Sequence, residues 1–439
     1  MKRMLIQTQL SNYDTNGKFI LECDSGWQMM MGRVRVMLEL VPDLHIDIMG
    51  PNDHTCLENQ VITSPFELNS DLFLTYDDRL RYLPHRIIPN ALATRYDFDF
   101  EGLARTLFAD GTKYDYVYVN DPMLLRSFRA LFFIKGKHLP KFFVHSHFID
   151  DPDCPKFPTE ASLWMGQCEA ARKSDFNFWQ CESSMNIFFD QMSKEYLPHV
   201  VQGVKDKSRP WDDGYSSQEI QTSINFDNVR FDHVAFLTQM SDSRKKIIFV
   251  PNRIGGMGRS SDYTNCGKFM FELLPKLAQL RTGKGYAHDT DFVIVCGNPS
   301  QKIFNNELEE LCGKHGYVNL VPDAFNRDEF KLIARSAHIA VGLYNQDSYG
   351  GTVARECIEL GCLPFWVDNY EYKTIASEAG WCYNAKPDLS NVPEALDRLL
   401  TDLDRHDLSN ELARLQKTVR GRCSYEWTTE PALKAMGII

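Results

Sequence analysis

Short runs of β-branched and aromatic residues alternate along the chain with longer stretches whose apolar residues recur at helical spacing. In the first half these runs fall at Met4–Leu10, Leu44–Met49, Tyr114–Val119, Phe142–His145 and Phe176–Gln180. In the second half they fall at Lys246–Pro251, Phe292–Gly297, Val318–Val321, Ile339–Leu343 and Cys362–Val367, separated by predicted helices at Lys268–Arg281, Asn306–His315 and Arg327–Ala337. Strand and helix in alternation are the rhythm of a parallel sheet with crossover helices. The pattern predicts an α/β chain built from two Rossmann-like domains.

Between the two halves, Gln202–Ser243 is rich in Ser, Asp, Gly and Asn, and Pro210 to Gly214 reads as a turn or surface insertion. The expected organisation is an N-terminal domain over 1–205, a linker over 206–243 and a C-terminal domain over 244–420. A final helix over 421–439 is expected to pack back across the domains. With 439 residues, 43% of them hydrophobic and 12% aromatic, the chain is long and apolar enough for a core in each domain, which excludes disorder. Forty-eight basic against 59 acidic side chains give a net charge of −11, so any contact with a polyanion must be local. The 12 cysteines show no CxxC pair and no zinc-ligand spacing, and read as reduced core thiols of a cytoplasmic protein. The start, MKRMLIQTQL, lacks an apolar stretch of signal-peptide length, and no membrane helix is expected.

The densest chemistry lies in Asp347–Trp366. After the apolar run Ile339–Leu343, a turn formed by Gly350, Gly351 and Thr352 leads into a predicted helix, Thr352–Leu360, closed by Gly361. A helix start behind glycines offers free N–H groups to an anion such as a nucleotide diphosphate, and Glu356, one turn on, could bond a ribose diol. Such turns also occur without a ligand; a second loop is what points to a phosphate site. Following Lys246–Pro251, the stretch Asn252-Arg253-Ile-Gly-Gly-Met-Gly-Arg259 to Lys268 combines glycines with Arg253, Arg259 and Lys268. Both loops leave the carboxyl ends of strands in one sheet, the edge at which α/β folds bind ligands.

The order of these pieces resembles the second domain of the two-domain nucleotide-sugar glycosyltransferases with the so-called B fold (GT-B). Val293-Ile-Val-Cys-Gly297-Asn is similar to their strand ending in Gly-x-Gly or Gly-x-Pro, and Val318-Asn-Leu-Val-Pro322-Asp-Ala-Phe to the strand beyond which the uracil-type base is read. Phe330–Ala337 resembles their Leu-Tyr-x-x-Ala helix, and Asp347–Pro364 their Glu-x7-Glu signature, over roughly residues 245–385 in all. The resemblance implies two domains facing across a cleft and a UDP-sugar co-substrate. It implies no tightly bound cofactor and no required divalent metal. Arg253 and Lys268 become the basic pair on the diphosphate; Asn252, Arg259, Gly297 and Pro322 become further donor contacts, and Glu356 the ribose ligand. The first acid of the signature is displaced here, Asp347 lying one residue too far from Glu356 and Ser348 standing at the family distance. Gly350, Gly351 and Thr352 are then expected to meet the sugar hydroxyls through backbone groups.

A narrower resemblance is to the phage DNA-modifying glycosyltransferases that act on hydroxymethylcytosine. It is carried by Asn252-Arg253-Ile254, Gly258-Arg259-Ser-Ser, Gly267-Lys268-Phe, Glu359-Leu360-Gly361 and Pro364-Phe365-Trp366. It implies transfer of glucose or arabinose to the hydroxymethyl group of a pyrimidine flipped out of double-stranded DNA, in a host cytoplasm if the gene is a phage's. The first half then supplies the acceptor contacts. Phe142-Phe-Val-His145-Ser-His147-Phe-Ile-Asp150-Asp151 ends a strand with two histidines on one face. His145 or His147 could polarise the sugar or its leaving group and Asp150 or Asp151 could act as base, although paired strand-end histidines are as often structural. Upstream, Arg126, Arg129, Lys135, Lys137 and Lys141 form the longest acid-free stretch, suited to a phosphate backbone or to a solvated helix face. No membrane partner is expected. The alternatives are a glycosyltransferase of surface polysaccharide synthesis, a sugar-nucleotide 2-epimerase and a binding protein without activity.

Overall fold

The alternation of strands and helices forms two parallel sheets, each with its own core. The computed structural model describes the chain except for residues 9, 11–18, 22–23, 53, 56–67, 90–95, 110, 137, 148, 150–159, 213, 231, 233, 236, 239–244, 252–264, 287–290, 297–309, 311–312, 314–315, 321–325 and 344–350. By packing, it divides into one unit comprising Met1–Gly214 with Tyr425–Ile439 and a second comprising Tyr215–Ser424.

Among the described residues, the first unit holds a seven-stranded sheet: β1 (Lys2–Gln7), β2 (Leu44–Pro51), β3 (Leu80–His85), β4 (Tyr116–Val119), β5 (Lys141–Ser146), β6 (Phe176–Trp179) and β7 (Ser208–Pro210). The order across it is β7-β6-β5-β4-β1-β2-β3, all parallel, with Met4 of β1 level with Ile46 on one side and Tyr116 on the other. Beyond β1 the order reverses, so the ends of β1 and β4 splay around a crevice at the sheet's carboxyl edge. Helix α1 (Ser25–Leu40) starts where the Asp24 side chain accepts the Trp27 N–H at 3.0 Å and runs with Trp27, Met30, Val34 and Met37 fully buried. Each such side chain contributes about 1.5–3 kcal/mol of burial free energy.

The second unit repeats the design in five strands: β8 (Lys246–Val250), β9 (Phe292–Cys296), β10 (Val318–Leu320), β11 (Ile339–Gly342) and β12 (Leu363–Trp366), ordered β10-β9-β8-β11-β12. Ile248 is level with Ile294 and Ile339, and the switch point falls between the ends of β8 and β11. The helices used below are α2 (Ser217–Gln221), α3 (Arg327–Ser336), α4 (Thr352–Glu359), α5 (Ser409–Cys423) and α6 (Tyr425–Met436).

The chain departs from expectation in three places. Residues 208–210, expected inside a linker, form β7 and pair with Asn177–Trp179. Two backbone carbonyls beyond β7, those of Trp211 and Asp212, accept from the buried Arg33 guanidinium at 3.0 and 2.7 Å, which ties this segment to α1. The last helix belongs to the first unit: a Cβ on Gly32 of α1 would lie 2.4 Å from the Tyr425 ring, so only glycine admits that ring there. The third departure is β3, whose sequence Leu-Arg-Tyr-Leu-Pro-His carries no clean apolar run and whose Pro84 suits its edge position. Of the cysteines described, Cys168, Cys181, Cys266, Cys296, Cys357, Cys362 and Cys423 are buried and Cys382 is exposed. Among the described residues no helix is long and apolar enough to cross a membrane.

Candidate functional site

The carboxyl edge of the second sheet carries the expected donor residues that the structure describes. Asn265 donates its backbone N–H to the Leu343 carbonyl at 2.7 Å, which fixes the start of the helical turn Cys266–Lys268 beside the end of β11. Lys268 is thereby held at the switch point with its side chain exposed. On the next βα connection Gly351 is the N-cap of α4, with no side-chain cap and no acid in the first turn. The buried Tyr372 hydroxyl accepts the Gly351 N–H and donates to the Gly351 carbonyl at 2.9 Å, clamping that peptide. A helix start without a side-chain cap among the described residues and an exposed lysine, each on a βα connection of this sheet, are groups that can receive an anion.

One turn into α4, the Glu356 carboxylate is met by a guanidinium fork that sequence reasoning missed. Arg327, the first residue of α3, donates from Nη2 to Oε1 at 2.7 Å and from Nη1 to Oε2 at 3.1 Å. Its Nε lies 3.5 Å from Glu219 Oε1 on α2. Thr352 opens α4 beside Gly351. Asn252, Arg253, Arg259, Gly297, Pro322 and Gly350 lie outside the described residues.

In the first unit, polar groups gather at the ends of β1, β4 and β5. Gln7 Oε1 accepts the backbone N–H groups of Asn120 and Asp121 at 2.8 and 3.0 Å, and Asn120 Nδ2 donates to the Gln7 carbonyl at 2.6 Å. That bond turns Asn120 Oδ1 toward His147 Nε2, 3.2 Å away, so Nε2 carries the proton and donates. The His147 ring stacks on His145 with centroids 4.3 Å apart. His145 Nδ1 accepts from Tyr118 Oη at 2.6 Å and Arg33 Nη1 at 2.9 Å. Arg33 lies 4.3 Å over the Trp211 ring. Burial first, then His147 and Arg33, push the His145 pKa well below the ordinary histidine value, so this ring is neutral.

Thus His145 and His147 do share a face, in a buried, prearranged cluster. Asp150, Asp151 and Lys137 lie outside the described residues. Of the remaining expected acceptor cations, two are engaged by partners of their own. Arg126 is exposed; Arg129 donates to the Lys173 carbonyl at 3.0 Å and sits 5.4 Å over the Phe142 ring; Lys135 pairs with Glu101 at 3.1 Å. Lys135 precedes the start of β5 and the histidines stand at its end, and a six-residue strand spans about 17 Å. Arg33, Asn120 and Gln7 were not singled out from the sequence. The available signals were an arginine on the apolar face of α1 and polar residues where two apolar strands stop. Among the described residues, no group of three or more His, Cys, Asp or Glu could hold a metal ion.

Buried neutral histidines predict acid sensitivity. His85, at the end of β3, is held down to about 4 by burial. Above pH 6.5 it is neutral in both folded and unfolded chains; below that, the unfolded chain takes up a proton the folded chain refuses. Stability is therefore lost as the pH falls from 6.5 toward 4, by about 3 kcal/mol for His85 alone. The urea midpoint is expected to fall steeply across this window, and less steeply in His85→Leu; equal slopes in both proteins would disprove the assignment.

No protein-family model and no curated protein matches the chain. Solved structures match over its whole length. Anabaena HepE in complex with UDP-glucose aligns at 12% identity with a TM-score of 0.62, covering 100% of each chain. Trehalose-6-phosphate synthase from E. coli bound with UDP-2-fluoro glucose aligns at 14% identity and TM-score 0.61, covering 100% of this chain and 99% of that one. The α,α-trehalose-phosphate synthase from Burkholderia xenovorans in complex with glucose-6-phosphate aligns at 14% identity and TM-score 0.62, covering 100% of each. The chain has the GT-B fold.

Proposed function

We propose that the protein is a glycosyltransferase that takes its sugar from a uridine diphosphate sugar. The observation that carries this reading is the second unit's switch point: exposed Lys268 fixed to the end of β11, the Gly351 peptide clamped at an uncapped helix start, and Glu356 one turn further on. The N–H groups of α4 and Lys268, with Arg253 and Arg259 from the adjoining loop, take the diphosphate. Glu356 takes the ribose diol, and Gly297 and Pro322 are assigned as further donor contacts. The UDP and UDP-sugar complexes of HepE and trehalose-6-phosphate synthase support this donor class. When the bond from sugar to diphosphate breaks, negative charge grows on the departing phosphate, and fixed cations and N–H dipoles stabilise it without reorganising. No group in this scheme calls for a metal.

The acceptor we assign is the hydroxymethyl group of a modified pyrimidine in DNA, with its contacts on the first unit. The observation favouring DNA is that Pro122–Ile149 carries no Asp or Glu and exposes Arg126 and Lys141, in a chain of net charge −11. His147, its proton fixed on Nε2 by Asn120, is the group we place at the reacting hydroxyls, with His145 orienting it by stacking and Asp151 as base. A second reading, a carbohydrate hydroxyl, is favoured by the structures of HepE with UDP and glucose and of the Burkholderia synthase with glucose-6-phosphate.

The test incubates the protein with a mixture of UDP-sugars and hydroxymethylcytosine DNA or, separately, glucose and glucose-6-phosphate. Digested nucleosides and free sugars are then weighed by mass spectrometry. A pentose or hexose increment on the nucleoside is the expected result. An increment only on the free sugars replaces the acceptor and keeps the donor. Release of an altered sugar nucleotide without any acceptor points to an epimerase, and no turnover with any mixture refutes the transferase reading.

A further inference from the structure

Glu356 does not stand alone: both of its carboxylate oxygens are hydrogen-bonded by one guanidinium fork, from the first residue of a neighbouring helix. We infer that Arg327 is the positioning residue for the nucleotide's ribose, fixing the plane and the charge of Glu356 and thereby making the site select a 2′-hydroxyl. The inference rests on the assignment of Glu356 to the ribose diol.

The geometry is specific. Nη2 reaches Oε1 at 2.7 Å and Nη1 reaches Oε2 at 3.1 Å, the parallel pairing that suits a planar fork to a planar carboxylate. A carboxylate offers about four lone-pair sites, so the fork leaves one on each oxygen for two neighbouring hydroxyls. Each partner is itself held. Glu356 sits within α4 at 9% exposure, its side chain confined by the packed helix. Arg327 follows Asn326, whose side chain accepts the Glu329 N–H at 3.0 Å while Glu329 returns a bond to the Asn326 N–H at 3.1 Å, a closed capping box that sets where α3 begins. The Arg327 guanidinium is further steadied by Glu219 at 3.5 Å and lies 5.5 Å from the Phe330 ring.

Charge supplies a second reason for the pair. A carboxylate one turn from a diphosphate site repels the ligand it must help to bind. Arg327 neutralises that repulsion while leaving the acceptor oxygens in place. A lysine in its stead keeps the charge and loses the fork.

The test is equilibrium binding of UDP and of 2′-deoxy-UDP, by calorimetry, to the full chain and to Arg327→Ala, Arg327→Lys and Glu356→Gln. The ratio of the two affinities within each protein is insensitive to how much of that protein is folded. The unaltered protein is expected to prefer UDP by about ten- to a hundredfold, typical of a hydroxyl held by a charged acceptor. Glu356→Gln should bring the ratio to within about threefold. Arg327→Ala should do the same and weaken both ligands about tenfold. Arg327→Lys should recover most of the common loss in affinity but little of the ratio, since charge returns without the fork. A full preference retained in Arg327→Ala while Glu356→Gln loses it overturns the role of Arg327 and leaves Glu356 in place. So does tighter UDP binding in Arg327→Ala, which makes the fork a competitor of the ribose. A preference unchanged in Glu356→Gln overturns the ribose assignment itself, and the role of Arg327 with it.

Discussion

Replacing Lys268 or Arg253 with alanine is expected to lower sugar transfer by about two to three orders of magnitude, the usual result of deleting a charged donor to a transition-state oxyanion. Lys268 is positioned by backbone, not by its own contacts: the Asn265 N–H and side-chain amide both bind the Leu343 carbonyl, at 2.7 and 3.3 Å, and the helix follows from there. Truncating the exposed side chain therefore leaves the fold intact and removes only the charge. Because the charge it faces grows as the sugar departs, the loss should fall mainly on kcat, with a smaller rise in the donor KM because the cation also holds the ground-state diphosphate. Lys268→Arg, which keeps the charge on a different head group, should recover part of it. Initial rates of UDP release with saturating acceptor provide the measurement. Near-full activity in both alanine variants would remove the diphosphate from this edge of the sheet.

How much of this was legible in the sequence follows from what each element needs. Strands buried on both faces announce themselves as apolar runs, so Tyr116–Val119, Phe292–Cys296 and Ile339–Gly342 were found to within two residues. Among the strands missed are the two edges of the first sheet, β3 and β7, one carrying a proline and the other only three residues long. Edge strands bury less and so need less apolar sequence. The division of the chain was misplaced for the same reason. What binds residues 208–212 to the first unit is a strand pairing and two carbonyls on Arg33, none of which leaves a mark in composition.

The candidate site shows the same split. Glycines before a helix and cations in a loop are local signals, which is why Gly351, Thr352, Glu356 and Lys268 could be named together. Arg327 is 29 residues from Glu356, and Gln7 is 113 from Asn120. Such pairs are made by topology: parallel strands bring distant carboxyl ends to one edge, and the sequence records the partners without recording the pairing. Arg129 and Lys135 are the converse case. They adjoin in sequence, yet Arg129 turns to the Lys173 carbonyl and Lys135 to Glu101.

The second large effect is expected at Arg33, where substitution by leucine should cost about 3–5 kcal/mol of stability. Its guanidinium is fully buried and serves four acceptors drawn from three parts of the first unit: Tyr118 Oη on β4, His145 Nδ1 on β5, and the Trp211 and Asp212 carbonyls after β7. Leucine fills much of the volume and satisfies none of them, and each buried acceptor left without its donor carries a desolvation penalty of about 1–3 kcal/mol. The cation also lies 4.3 Å over the Trp211 ring and 6.0 Å over that of Tyr425, so the loss extends to the returning helix α6. Urea unfolding should show the drop, and limited proteolysis should open first near residues 208–212, which Arg33 pins. Removing the positive charge also lifts one of the causes that hold His145 neutral, so its pKa should rise in Arg33→Leu, visible in the imidazole carbon shifts. A stability change under 1 kcal/mol with the His145 titration unmoved would mean that the guanidinium is not the centre of this cluster.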